Sequence, residues 1–466
     1  MNDPDRREGE GNDPLGDLFR ALFGGQGLPG MPGLPEGMAG FPEGMTALPE
    51  GLANLPGMPQ DPAAMRAMFA QVQQMLASSG EDPVNWDLAR DMARQVAATD
   101  GDPTVSQAEQ RQVSEALRTA ELWLDRATDL QAATVRTYAW SRAEWVEQTL
   151  PVWKGIVTPI AASVGDAMAQ AMSTQAPSEL AGMLAGVMPM MRKMGGAFFG
   201  AQIGQALGTL AHEVVSGGDV GIPLLAAGQA ALLPANVTAF GEGLGLPADE
   251  VRLYLALREG AHARLFAGVP WLRAHILAAV QEYARGIEVD TDRIQDAVRE
   301  IDPADPEALQ NALSSGLFEP ERTPAQQAAL NRLETALALV EGWVDDVVEE
   351  AARGTLPHVD ALRETVRRRR AAGGPAEHTF AALVGLELRP RRLREASAVW
   401  AALREARGTD GRDQLWSHPD LVPGEEAFAD PVGFARGETG AVPDDLDAAL
   451  AKLLDEAERE GPQDGA

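Results

Sequence analysis

Residues 258–262 read Arg-Glu-Gly-Ala-His. One residue separates them from HExxH, the pattern in which two histidines one helical turn apart hold zinc while the glutamate between them acts as a base. Arg258 cannot ligate a cation. A metal here would rest on His262, with Glu259 holding and deprotonating a water, and would need ligands from elsewhere. The competing explanation needs no metal. A guanidinium and an imidazole inside a buried helix both demand internal partners, a carboxylate for Arg258 and a hydrogen bond to a neighbouring helix for His262.

The element that must carry these groups is a helix. At 100° per residue, Val251, Leu255, Arg258, Glu259, His262 and Phe266 share one side of the segment from Pro247 to Ala267. The opposite side is largely Leu, Ala and Gly, so the helix is expected to be buried all round. A second stretch, Leu337–Ala351, places Leu337, Val340, Val344, Val347, Val348 and Ala351 on an apolar stripe, with Glu341 at its edge and Asp345 one turn on. Glu341 is thereby a candidate third-ligand carboxylate. The other histidines are weaker candidates: "AHEVVS" at 211–216 begins like HExxH but ends in Ser216, His275 is expected to pack or cap, and His418 sits in a turn where Asp420 can orient it.

From about residue 61 to 408 the pattern is helical almost throughout, with capping-box signals such as Ser141 and Glu144 and breaks expected at Pro151, Pro189, Pro223, Pro247, Pro270, Pro303 and Pro357. The spacing predicts an all-α bundle. Gly196, Gly200, Gly204 and Gly208 recur every fourth residue and should let another helix approach closely. Residues 1–60 repeat a Pro-Glu-Gly-apolar unit and are expected to be a disordered low-complexity arm. Residues 61–425 form the expected helical domain. Residues 426–466 form an acidic tail with a short amphipathic helix bearing Leu446, Leu450, Leu453 and Leu454.

Composition narrows the chemistry further. The 466 residues include no cysteine and only six histidines, which excludes disulfides, thiolate metal sites and thiol nucleophiles. A net charge of -30 repels phosphate backbones, so nucleic acid is excluded as a general partner. No secretory h-region and no uninterrupted apolar run long enough to span a bilayer are visible, which makes the cytoplasm the expected address. No phosphate loop, nucleophile elbow or dinucleotide fingerprint occurs.

The stretches "LREGAHARLFAGVPWLRAHI", "LVEGWVDDVV", "FAALVGLELRPRRLREASAVW" and "GRDQLWSHPDLVP" resemble a zincin-like hydrolase family of high-GC bacteria. Its members are labelled zinc-dependent metalloproteases, and a related subgroup is associated with biosynthesis of a deazaflavin coenzyme. The resemblance spans roughly residues 151–431. It implies a helical zincin-like domain centred on Glu259 and His262, with Glu259 catalytic, His262 and Glu341 as metal ligands, zinc as cofactor, and a peptide or protein as partner. It also exposes departures: Trp343 follows Glu341-Gly342 where related sequences look more like Glu-Gly-His, and Asp346 stands where a second histidine can occur. With Arg258 added, the site is short of nitrogen ligands. Two outcomes are therefore open, a metallopeptidase-like hydrolase with a degenerate motif or an inactive interaction protein in which arginine replaces the metal.

Overall fold

The computed structural model describes residues 82–175, 181–285, 323–371 and 392–437. The expected arm over residues 1–60 and the helix around residues 446–454 lie outside them. The described fold is all-α, as the periodicity predicts. Its helices are α1 (Trp86–Ala97), α2 (Gln107–Leu124), α3 (Arg142–Gln175), α4 (Ala181–Glu213), α5 (Pro234–Gly241), α6 (Ala248–Gly268), α7 (Pro270–Arg285), α8 (Pro324–Ala352), α9 (Val359–Ala371), α10 (Arg392–Asp413), α11 (Glu425–Ala429) and α12 (Pro431–Arg436). Two short strands, β1 (Arg136–Ala139) and β2 (Gln229–Leu232), pair in parallel with Tyr138 opposite Ala231. The sequence pattern did not foresee this pair, because four-residue strands are too short to show a period.

Two of the expected proline breaks are absent. Pro151 lies inside α3 and Pro189 inside α4, and Pro159 is a further proline within α3. A proline removes one backbone donor and leaves the rest of the ladder, so long helices survive it when their faces are buried. Val146, Trp153, Ile156 and Val157 around Pro151 are all buried. Pro247 and Pro270 do mark the start of α6 and α7. The capping box at the head of α3 forms, with Ser141 N donating to Glu144 Oε2 (2.8 Å) and Glu144 N to Ser141 Oγ (3.2 Å).

The backbone contacts divide the chain into two compact units. One takes in residues 1–88, 161–200 and 285–323. In it a Cβ on Gly196 would stand 3.1 Å from Asp82 O, and one on Gly200 2.5 Å from Asn85 O. The other takes in residues 89–160, 201–284 and 324–466. There a Cβ on Gly204 would stand 2.6 Å from Ala89 O, and one on Gly208 2.4 Å from Val96 Cβ. The stripe therefore faces α1 and the chain just before it, and at Gly200, Gly204 and Gly208 an added side chain would force its neighbours to shift.

The second unit carries the candidate chemistry. α6 packs against α2, α8 and β2, and α8 against α10. Gly342 permits that last contact, since a Cβ there would stand 2.7 Å from Ala396 Cβ. No helix among the described residues is long and apolar enough to cross a membrane.

Candidate active site

As its sequence suggests, α6 is buried on nearly every face, from Val251 to Leu265. A charged residue there must find its partner inside. Arg258 does: its Nη2 donates to Glu341 Oε2 at 2.6 Å. His262 lies one turn on, and its Nε2 is 3.0 Å from Glu341 Oε1. The helices α6 and α8 thus converge their polar residues on one carboxylate. Arg258, Glu259, His262 and Glu341 are 5, 1, 3 and 4% exposed, so they form a closed cluster and line no open cleft.

Glu259 faces a different partner. Its Oε2 accepts from Gly218 N at 2.7 Å and its Oε1 from Ala231 N at 3.1 Å. Ala231 belongs to β2, so the short parallel pair has a function in the site: it fixes a backbone donor. Gly218 belongs to the loop 214–221, which must approach side-on to reach the carboxylate. Glycine allows this. A Cβ on Gly217 would stand 3.0 Å from Glu259 Oε1, and one on Gly218 2.9 Å from Oε2 and 3.1 Å from His262 Cβ. Gly221, at φ +80°, brings its Cα beside Glu341 Oε1.

Glu341 has a partner the sequence did not suggest. Arg370, at the end of α9, places Nη2 2.9 Å from Glu341 Oε1 and donates to Asp219 O at 2.7 Å. Burial pushes the Glu341 carboxyl upward, but Arg370, His262 and Arg258 together hold it well below the usual carboxylate range. The guanidinium of Arg258 loses hydration on burial, yet Glu341 beside it, together with Tyr254, Asp345 and Asp219, offsets that and raises its pKa. Glu259 goes the other way: burial raises its pKa against the opposing N–H donors and His262. The signal for Arg370 was available as four consecutive arginines, 367–370. Only contacts distant in sequence show that Arg367, Arg369 and Arg370 turn inward while Arg368 stays outside.

The other sequence candidates lie elsewhere. Asp345 is held by Arg363 and Arg367, each with a nitrogen 2.7 Å from Oδ2. Asp346 points to α10, where Arg404 and Arg412 bind it, and Trp343 Nε1 donates to Asp413 Oδ1 at 2.8 Å. His212 Nε2 meets Val96 O at 2.9 Å. His275 packs edge-on against Trp271. His418 accepts from Asp420 N at 3.3 Å, in the turn expected for it.

A family model described as "Zincin-like metallopeptidase" matches residues 84–435. The chain belongs to the zincin-like metallopeptidase family. A crystal structure from Chloroflexus aurantiacus, described as "a putative hydrolase with a novel fold", has the same fold, with a TM-score of 0.55 at 19% identity over 77% of this chain and 100% of that one. No curated protein matches. At the level of the family the function is hydrolase-like, and the matched span contains every residue of the candidate site.

A zincin-like site implies a metal, and the donor set here does not fit one. Zinc holds neighbouring tetrahedral ligand atoms roughly 3.3 Å apart, given bonds near 2.0–2.1 Å. The 3.0 Å between His262 Nε2 and Glu341 Oε1 is close to that, so distance is no obstacle. Occupancy of the lone pairs is. Glu341 Oε1 already takes His262 and Arg370, and Oε2 takes Arg258. His262 Nδ1 faces Arg258 O at 2.9 Å while Nε2 faces the carboxylate, so both ring nitrogens meet acceptors. A metal could therefore take Nε2 only by displacing its contact with Glu341. Among the described residues no group of three or more His, Asp or Glu side chains can hold a metal ion.

Proposed function

We propose that this zincin-like chain does not hydrolyse peptides: arginine stands in its site where the family places a metal, and the protein acts in the cytoplasm by binding a peptide or protein segment. One observation carries the reading. Glu341, the best-placed ligand carboxylate, is bonded through both oxygens to Arg258, Arg370 and His262. A guanidinium supplies the positive charge a cation would supply, but it offers no vacant orbital to polarise a carbonyl or acidify a water. Glu259 keeps the position of the family's base, yet its oxygens are turned to Gly218 N and Ala231 N.

The second reading is a metallopeptidase-like hydrolase with Glu259 as base and His262 and Glu341 as zinc ligands. The family match and the one-turn spacing of Glu259 and His262 on α6 favour it. In this reading Arg258 and Arg370 must leave Glu341 before metal enters.

Elemental analysis of the purified, dialysed protein separates the two, with a peptidase assay on the wild type and on Glu259→Gln. The arginine reading expects zinc well below one equivalent and the same background in both proteins. Stoichiometric zinc together with activity lost in Glu259→Gln would overturn it.

A further inference from the structure

The residues that close the site from outside come from one element. α9 is a 13-residue helix that buries few apolar side chains, notably Leu362 and Val366. A helix held by hydrophobic packing presents a broader stripe. α9 is attached through its arginines instead. Arg363 and Arg367 bind Asp345 in the middle of α8. Arg369 Nη1 lies 3.1 Å from Asp219 Oδ2 and Nη2 bonds to Glu213 O. Arg370 bridges Glu341 Oε1 and Asp219 O.

Asp219 is the residue through which these contacts reach the site. It lies in the loop 214–221 and turns back to accept from Val215 N at 3.0 Å, so the same carboxylate that binds Arg369 shapes the loop. Burial pushes its pKa up, and Arg369 and Arg370, with the Val215 N–H and Arg258, bring it below the usual value. The loop in turn covers the candidate base, with Gly218 N on Glu259 Oε2 and the Gly218 Cα packed beside His262. A mechanical chain therefore runs from the end of α9 through Asp219 to Glu259 and His262. At its other end α9 leaves a turn with Gly354 at φ +71°, and His358 Nδ1 meets Glu250 Oε2 at 2.9 Å.

We propose that α9 is an ionic strap: Arg369 and Arg370 lock the loop 214–221 over the cluster, and their release opens Glu259, His262 and Glu341 to solvent and to a ligand. The proposal takes its site residues from the reading above, but it holds whether or not that site ever binds metal. Exposure separates an inner pair from an outer lock. The Arg258 side chain is 6% exposed, whereas Arg370, Arg369 and Arg367 are 11, 25 and 27% exposed. Ions from solution reach the outer contacts first, so the strap loosens under conditions that leave Arg258 on Glu341. Few buried apolar groups resist its departure, which is the composition expected of an element that opens locally.

Hydrogen exchange on the full chain reads this directly. Val215 N, Gly217 N, Gly218 N and Gly221 N are bonded to Asp219 Oδ2, Ala231 O, Glu259 Oε2 and Gly218 O, and the bonds of Gly217 and Gly218 tie the loop to β2 and α6. In the Arg369→Gln/Arg370→Gln variant, peptides covering 214–221 should exchange about tenfold faster, with those from α10 near Trp400 unchanged. The unaltered protein should show the same selective acceleration when salt rises from about 0.05 M to about 1 M. Equal loop protection in variant and wild type overturns the strap. So does parallel loosening of α10, which would mark the arginines as general structural ties. If the variant loses its helical circular dichroism, the salt series on the wild type decides alone, and a loop indifferent to salt refutes the proposal. Zinc content of the same samples reports separately on the arginine reading: one equivalent of zinc beside a salt-released loop would overturn that reading and leave the strap standing.

Discussion

Charge removal at the Arg258–Glu341 pair gives an asymmetric expectation that can be worked from the contacts. Arg258→Met keeps the length of the side chain and deletes its charged hydrogen bond, 2.6 Å from Glu341 Oε2. Glu341 then still has Arg370 and His262. The cost should be that of one charge-assisted bond, about 2 kcal/mol. Glu341→Gln is worse, because it leaves Arg258 buried at 5% exposure beside a neutral amide. What then remains to Arg258 is the neighbouring Tyr254, whose own pKa burial pushes up to about 12, and the more distant charges of Asp345 and Asp219. An uncompensated buried charge costs about 3–5 kcal/mol. The double variant should cost less than the sum, with a coupling of about 1.5–3 kcal/mol. Urea unfolding followed by tryptophan fluorescence suits the measurement, because Trp343 and Trp400 are fully buried in the same unit. Additivity within about 0.5 kcal/mol, or Glu341→Gln no costlier than Arg258→Met, would refute the claim that this pair organises the cluster.

Further expectations follow from the same geometry. Arg258→His, which sets two imidazoles one turn apart and relieves Glu341 of one guanidinium, should raise zinc in the purified protein toward about one equivalent; unchanged metal content would show that Arg258 is not what keeps zinc out. Gly218→Ala, whose added carbon would stand 2.9 Å from Glu259 Oε2, should cost about 1–3 kcal/mol in urea unfolding, and a neutral result would mean that the loop does not lie on the carboxylate. Acid should destabilise the fold. The folded pKa values of Glu341, Asp219 and Asp345 are lowered, so their contribution is complete above the unfolded values near 4 and lost as pH falls through the folded ones. Glu259 is raised and acts oppositely, disfavouring the fold as pH rises above its unfolded value, but it is one group against three. A urea midpoint that does not fall below about pH 4 would contradict this balance.

The sequence disclosed the helical part of this arrangement well and the rest poorly. Periodicity placed Arg258, Glu259 and His262 on one face of a helix buried all round, and Glu341 at the edge of another stripe. These are one-helix properties, readable from spacing alone. It also anticipated an internal carboxylate for Arg258 without identifying it. What it could not give were the contacts made by loops. Gly218 N and Ala231 N lie 41 and 28 residues from their partner Glu259, and Arg370 lies 151 residues from its partner Asp219, so no local pattern links them. The prolines misled for a related reason: a local rule predicted breaks at Pro151 and Pro189, yet both lie inside helices, Pro151 among the buried Val146, Trp153, Ile156 and Val157.

The same packing accounts for how the cluster can persist with an arginine in its motif. A divalent ion draws its ligands together through bonds near 2.0–2.2 Å. Here guanidinium groups draw comparable side chains together through hydrogen bonds of 2.6 and 2.9 Å, with His262 at 3.0 Å from the same carboxylate. On the arginine reading proposed above, the convergence of α6 and α8 is kept while the chemistry is changed, because either kind of cation satisfies Glu341. The two differ in what they leave free. A metal in a hydrolytic site retains an open position for water, whereas a guanidinium directs all its hydrogens outward and has none. Closure follows from this: once Arg258 and Arg370 neutralise Glu341, no open coordination position remains for the loop 214–221 to leave clear. Three glycines let that loop settle onto Glu259 and Glu341, and Arg258, Glu259, His262 and Glu341 are all buried.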